Sequence, residues 1–247
     1  PIDHFYSLDS NPSNLKGVLS NPMNFSEASK VAFFGLADYT WNPGAFDAQE
    51  NWENCFDAIL PDDPEMAQAL KTVYGSLNNS YEPTELTRLY GQYQSGNETA
   101  AAELKDKMYE ILDAVELLET LKDSDDPVKR LIVEEAQTSI NKLYDMAAAI
   151  GGAMAVVSSE DPLEQVHGYY LSQAANERLS IERNPRYQII ALEGSGEDIY
   201  YSTLYAVPSD GRMRPFVTTA MNAIADFDVG QLDTSAAEIE SVAISPK

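Results

Sequence analysis

Two long stretches with helical spacing of apolar residues, joined by three residues, constrain this chain more than any other feature. Residues 97–122 carry Leu104, Met108, Ile111, Val115, Leu118 and Leu121, separated by threes and fours. Residues 126–157 carry Val128, Leu131, Ile132, Ala136, Ile140, Leu143, Met146, Ile150 and Met154 on one stripe. Such spacing places one apolar face on each helix. At roughly 1.5 Å per residue, each spans on the order of 40 Å. The connection Asp123-Ser124-Asp125 is long enough only to reverse the chain, so the two helices are expected to be antiparallel neighbours. The chain must therefore build a bundle.

The flanking segments extend the pattern. Helices are expected over residues 47–60, closed by Pro61, and from Pro64 to about Asn78, with Asp62 and Asp63 ahead of the proline as capping and first-turn acids. Further helices are expected from Pro83-Thr84-Glu85 to about Gln94, over Pro162–Glu182, and over Met213–Phe227 with Pro215 near its start. Residues 187–192 and 199–207 are rich in Ile, Tyr and Leu around Glu193-Gly-Ser-Gly-Glu-Asp198, which fits either a small hairpin or two separate extended segments. Residues 229–247 read as a tail or linker.

The first 45 residues differ in character. Gly17-Val18-Leu19-Ser20 is a short apolar run stopped by Asn21-Pro22, where proline removes an amide and holds Asn21 extended. Asn24 followed by Glu27 matches a capping box. It opens a helix expected over residues 25–41 and ended by Asn42-Pro43-Gly44. Val31, Ala32, Phe33, Phe34, Leu36, Ala37 and Tyr39 surround that helix, so it is expected to pack on more than one side. A single buried strand has no partner in such a chain, which points to a missing N-terminal portion. The start at Pro1 without methionine points the same way, to a processed product or an excised segment.

Composition excludes several function classes. The 247 residues include 16 basic and 40 acidic side chains, a formal charge of −24, so phosphate backbones and anionic lipid are repelled. With 44% hydrophobic residues a sizeable core is available, yet no run is long enough to span a bilayer. The one cysteine, Cys55, rules out an internal disulfide framework and reads as a small buried thiol between Trp52 and Phe56. His4 and His167 have no helical partner at metal spacing, and His167, beside Tyr169 and Tyr170, reads as a packing residue. Asp123-Ser124-Asp125-Asp126 lacks the glycine and closing glutamate of a calcium loop at the required places. No phosphate-binding glycine loop is present, and no cofactor or metal is called for. One polar residue stands out. Asn21 ends an apparent strand, where α/β barrels place their active sites, and its amide both donates and accepts, as a sugar hydroxyl does. On spacing alone, the favoured reading is that Asn21 merely turns the chain before proline.

Read together, Ser20-Asn21-Pro22-Met23-Asn24, Glu27-Ala28-Ser29-Lys30, Ala37-Asp38-Tyr39-Thr40-Trp41-Asn42-Pro43, Phe46-Asp47 and Trp52 resemble bacterial glycoside hydrolase family 84. These are β-N-acetylglucosaminidases, some historically called hyaluronidases. The later helices and Arg212-Met-Arg-Pro215-Phe216 are similar, less sharply, to that family's post-catalytic bundle. The resemblance implies a domain 1–45 that is the C-terminal remnant of a (β/α)8 catalytic barrel, followed by a helical bundle over 46–228. It implies that Asn21 binds hydroxyls of the sugar in the −1 site. It further implies a retaining reaction in which the substrate's acetamido oxygen attacks its own anomeric carbon, with one aspartate orienting the acetamide and its neighbour acting as general acid. Those aspartates belong to an earlier barrel strand, and only 19 residues precede Ser20, so no catalytic residue is assigned in this chain.

The expected protein is thus mainly α, a bundle behind the last β/α unit of a truncated barrel. Its expected role is to brace the barrel of a secreted or cell-surface glycosidase, without hydrolysing substrate by itself. Its expected partners are the N-terminal part of that barrel and a glycan carrying N-acetylglucosamine, with no nucleic acid and no membrane. An alternative is a helical binding or spacer module engaging a partner domain or glycan, with Tyr169, Tyr170, Tyr200 and Tyr201 as the first platforms to test.

Overall fold

The computed structural model of the chain describes residue 17 and residues 25–77, 85–97, 99–182, 189–193, 200–203 and 210–231. Gly17–Asn21 as a barrel strand, the Asn24 half of the capping box and the tail beyond 231 lie outside or almost wholly outside them. The described residues form nine α-helices and one two-stranded sheet: α1 (Lys30–Trp41), α2 (Ala48–Ile59), α3 (Pro64–Leu77), α4 (Glu85–Gln94), α5 (Ala100–Glu119), α6 (Pro127–Glu134), α7 (Gln137–Ser158), α8 (Pro162–Glu182), β1 (Ile189–Glu193), β2 (Tyr200–Thr203) and α9 (Asp210–Ala223). Short 3-10 turns follow α5 at Thr120–Asp123 and α9 at Val229–Gln231. The mainly helical class and the bundle are as expected.

Local chemistry sets most of the boundaries. Asp47 caps α2, its carboxylate accepting from the amides of Gln49 and Glu50, both at 2.9 Å. Asp63 accepts from the Met66 amide at 3.1 Å ahead of Pro64, and Asp126 from Val128 at 2.9 Å ahead of Pro127. These are the places where a negative side chain satisfies free amides and favours the positive helix end. β1 and β2 pair antiparallel, with Glu193 opposite Tyr200 and Leu192 opposite Tyr201, and a register shift between Ile189 and Ala191. The hairpin is therefore present.

Two expected helices are corrected. The first helix begins at Lys30 rather than at 25, because residues 26–29 form a turn held from outside the helix. The long helix expected over 126–157 is two: α6 ends at Glu134, Glu135 and Ala136 form a turn in which the Ala136 amide reaches back to the Val133 carbonyl at 3.1 Å, and α7 starts at Gln137.

The chain divides into two compact units. The first comprises residues 1–84, 110–144 and 205–211. Its core is built by Phe56, Leu60, Leu70, Val73, Ile111, Leu118, Ile132, Ile140 and Leu143, each no more than 2% exposed. Burying each such side chain contributes about 1.5–3 kcal/mol. Gln137 donates to Glu119 at 2.8 Å and Tyr144 to Glu116 at 3.4 Å, so α5 and α7 run antiparallel here, as the short connection requires. The second unit comprises residues 85–109, 145–204 and 212–247. Leu89, Leu104, Met108, Met146, Ile150, Met154, Leu179 and Val217 form its core. Tyr90 of α4 stacks on Phe216 of α9 at 3.6 Å between ring centroids, and its hydroxyl bonds Thr219 at 2.8 Å.

In the second unit α7 and α8 approach so closely that a side chain at either crossing residue would strike backbone. A Cβ added to Gly152 would lie 2.4 Å from the Gly168 carbonyl oxygen, and one added to Gly168 would lie 2.5 Å from the Gly152 oxygen. Both glycines and Ser172 are buried at this crossing.

Candidate functional site

Asn21, the sugar contact expected from the sequence, lies outside the described residues. What the structure does describe is the segment immediately after it, and that segment is held from the bundle of the first unit. The Glu135 carboxylate, in the turn between α6 and α7, faces the N-terminal turn of α1. One of its oxygens accepts from the Ser26 amide at 3.1 Å and the Ser26 hydroxyl at 3.2 Å. The other accepts from the amides of Glu27 at 2.7 Å and Ala28 at 2.9 Å. Two donors on each oxygen exhaust the hydrogen-bonding capacity of an ionised carboxylate. Ionised acceptors make the stronger bonds, and a negative charge beside free helix amides is favourable.

A second contact comes from α3. The Tyr74 hydroxyl donates to the Ala28 carbonyl at 3.4 Å. Burial pushes the Tyr74 phenol well above the usual tyrosine range, with the Glu135 charge acting in the same direction. The phenol therefore stays a neutral donor. Its ring packs edge-on against Phe56, which packs edge-on against Trp52, at 6.4 and 4.7 Å between centroids. Glu27 itself pairs with Lys30 one turn along. The capping-box glutamate thus points to a lysine, and the amides of the turn are served by a glutamate 108 positions away.

α1 itself is covered less than its composition demands. Of its twelve residues only Gly35 is buried, while Val31, Phe33, Phe34, Leu36 and Tyr39 are half-buried. Ala32 and Ala37 are exposed, and Trp41 is 91% exposed. The expectation of packing on more than one side is not met among the described residues. Along one flank runs a groove of about 590 Å³ lined by Phe34, Asp38, Trp41, Glu50, Asn51 and Asn54, among others. Asn51, at 8% exposure, donates to Asp38 at 3.0 Å across it.

Of the other residues singled out in the sequence, Cys55 is structural. Cys55 is 1% exposed, its thiol directed at the Trp52 carbonyl at 3.4 Å, and burial pushes it up to about 11. Such a thiol is an inert packing group. His167 is corrected: it lies on the exposed side of α8 and does not pack, although its neighbour Tyr169 lies against Phe227 at 5.5 Å. Tyr170 is 55% exposed; Tyr200 and Tyr201 are in β2. Among the described residues no cluster of His, Cys, Asp and Glu is arranged to hold a metal ion, and no helix is long and apolar enough to cross a membrane.

Residues 4–74, which include Asn21, the clamped turn, α1, α2 and most of α3, match the family model NAGidase, beta-N-acetylglucosaminidase. A solved structure described as that of CpGH84D superposes with a TM-score of 0.59 at 22% identity, over 86% of this chain. The resemblance to glycoside hydrolase family 84 is borne out. At that identity the structural likeness concerns the fold, and it carries the helical architecture over most of the chain. This chain spans 35% of the length of that solved structure. The opening residues are therefore related to β-N-acetylglucosaminidases, and the bundle behind them has the fold found in a larger family 84 protein.

The clamp was missed by sequence reasoning. Glu135 is one of 40 acidic residues, and nothing in its own neighbourhood distinguishes it. The available signal was the surplus of amides at 26–28, which one capping box cannot satisfy.

Proposed function

We propose that this chain is the C-terminal end of the catalytic barrel and the bracing bundle of a retaining, substrate-assisted β-N-acetylglucosaminidase that acts on terminal N-acetylglucosamine, and that it does not hydrolyse substrate by itself. The observation that carries this is α1. It is apolar on nearly every side and lies within the segment that matches the family, yet one of its twelve residues is buried. A helix of that composition is stable when other layers cover it, as in a barrel whose strands lie inside its helices. In this reading the rest of the barrel supplies that cover and the paired aspartates, while Asn21 contacts hydroxyls of the bound sugar. The parent enzyme is proposed to work outside the cell or on its surface.

The isolated chain is expected not to hydrolyse an aryl β-N-acetylglucosaminide, and the chain joined to its N-terminal barrel portion is expected to do so. Turnover by the isolated chain at the rate of the joined enzyme would overturn the proposal. In the joined enzyme Asn21→Ala is expected to weaken sugar binding by about 1–3 kcal/mol.

Trp41 favours a second reading, a binding module whose exposed ring, lining a groove of mixed polarity, takes a glycan or partner domain. Indole fluorescence separates the two. In the first reading acrylamide quenching of Trp41 falls on joining to the barrel portion; in the second it falls on titration of the isolated chain with N-acetylglucosamine oligomers.

A further inference from the structure

We propose that the groove between α1 and α2 takes the guanidinium of an arginine presented by a partner protein, stacked on Trp41 and ringed by carboxylates; this holds independently of the hydrolytic role proposed above. Trp41 is the last residue of α1 and stands 91% exposed at the groove. An indole face attracts cations, and arginine is the commonest of them. Three exposed carboxylates, Asp38, Asp47 and Glu50, line the same groove, and no lysine, arginine or histidine does so among the described residues. Lys30 is the only basic residue of α1 and pairs with Glu27. α2 has no basic residue, and Lys71 of α3 is spent on Glu53. The groove therefore holds three like charges with no counter-charge among the described residues. The carbonyl end of α1, the negative end of its dipole, adds to the same field.

The hydrogen-bonding groups in the groove are mostly unspent acceptors. Asp38 uses one oxygen, on the Asn51 amide nitrogen at 3.0 Å. Asp47 uses one, on the Gln49 and Glu50 amides. The other oxygen of each, and both carboxylate oxygens of Glu50, have no partner among the described residues. The decisive atom is the side-chain oxygen of Asn51. This residue is only 8% exposed and lines the groove, its nitrogen is taken by Asp38, and its oxygen has no partner among the described residues. A buried acceptor left unpaired is costly, and an arriving N–H removes the cost. Against these acceptors the groove offers as donors only the Asn54 amide and the Trp41 indole N–H. Sugar hydroxyls donate and accept in equal measure, whereas a guanidinium carries five N–H donors and no acceptor. It is also planar, so it lies flat on an indole while its edges reach acceptors on several sides, which a compact ammonium does not do. The net charge of −24 steers a basic partner toward the chain.

The test is a titration of the full 247-residue chain, followed by the indole N–H resonances of its two tryptophans, with Trp41→Phe assigning which is which. The probe is a capped Gly-Arg-Gly peptide at low ionic strength. Its control is the same peptide with citrulline, which keeps the shape of arginine and lacks the charge. The arginine peptide is expected to shift the Trp41 resonance saturably, with a Kd on the order of 1 mM, and the citrulline peptide to leave it in place. Glu50→Gln, at an exposed position whose side chain holds nothing in the fold, is expected to weaken binding about threefold to tenfold. Asp113→Asn removes one exposed charge of α5 outside the groove and is expected to change the Kd less than about 1.5-fold. The proposal is overturned if the arginine peptide gives no saturable shift, or if citrulline matches it. It is equally overturned if Asp113→Asn weakens binding as much as Glu50→Gln, which would mean diffuse attraction to an acidic chain. Saturation of the Trp41 shift by N-acetylglucosamine oligomers, with none by the arginine peptide, would make the groove a glycan site and the proposal wrong.

Discussion

Replacing Gly152 by alanine sets two opposed effects against each other, and the structure decides between them. In an exposed helix interior Gly→Ala stabilises by about 1 kcal/mol, because alanine loses less backbone freedom. At Gly152 the new methyl would lie 2.4 Å from the Gly168 oxygen and 2.9 Å from the Ser172 amide nitrogen, both of them backbone atoms of α8 that no rotamer change can move. Ordinary contact requires nearly 1 Å more, so the helices must separate, and the buried residues around the crossing lose close packing. Overpacking of this kind costs about 1–3 kcal/mol, and with two backbone contacts the upper end applies. The net is a loss of about 2 kcal/mol, or about 4–8 °C in Tm for a chain of this size. Gly91 in α4 provides the control, since a Cβ there meets nothing within 4 Å; Gly91→Ala is expected to gain about 0.5–1 kcal/mol. Urea titration followed by far-ultraviolet circular dichroism reads both. Gly152→Ala combined with Gly168→Ala is expected to cost less than the sum of the single changes, because helices already separated accommodate the second methyl. If Gly152→Ala proves as stable as Gly91→Ala, the close crossing of α7 and α8 is refuted.

Other predictions concern caps, charge and the thiol. Asp47→Ala removes the acceptor for the Gln49 and Glu50 amides and is expected to cost about 1 kcal/mol in the same titration, whereas Asp47→Asn is expected to cost little. Glu164 accepts from Lys105 at 2.7 Å and from Ser159 at 2.5 Å, and the Lys105 and Ser159 bonds hold its carboxyl below the usual 4.5. A depressed folded-state value stabilises above the unfolded value and is lost as pH falls through the folded one. The stability advantage of the parent chain over Glu164→Gln is therefore expected at neutral pH and to fade below about 4.5; an advantage that grows on acidification would contradict the assignment. Cys55 is expected to resist a thiol reagent at pH 8 in the folded chain and to react within the unfolding transition in urea, with rapid reaction in the native state counting against its burial.

Much of the helical order was legible because this sequence punctuates its helices. Asp63 before Pro64, Asp126 before Pro127, and Pro162 each announce a first turn, and the observed starts fall there. The antiparallel run of α5 and α7 in the first unit followed from a connection too short for anything else. The break at Glu135-Ala136 had no such mark, being neither glycine nor proline. It goes with a contact to amides 107–109 positions away, which local periodicity cannot register. The same blindness misplaced the start of α1, where Asn24 and Glu27 spelled a cap but Glu135 supplies the acceptors. His167 was misjudged from its aromatic neighbours in sequence, which on a helix point in other directions. Small residues at Gly151-Gly152 and at Gly168 and Ser172 are what a close crossing needs, but either run alone reads as ordinary buried helix. Of the candidate site, the family motifs were readable in the first 56 residues, while the bonds that hold the turn after Asn21 emerge only once the chain is folded.

The thinly covered α1 has a practical corollary. A polypeptide displaying such a greasy rod is drawn toward other copies of itself, and the −24 charge is what keeps copies apart. That repulsion acts through solvent and shrinks to a range of about 8 Å at physiological ionic strength. Added sodium chloride should therefore drive this chain, made by itself, into clusters.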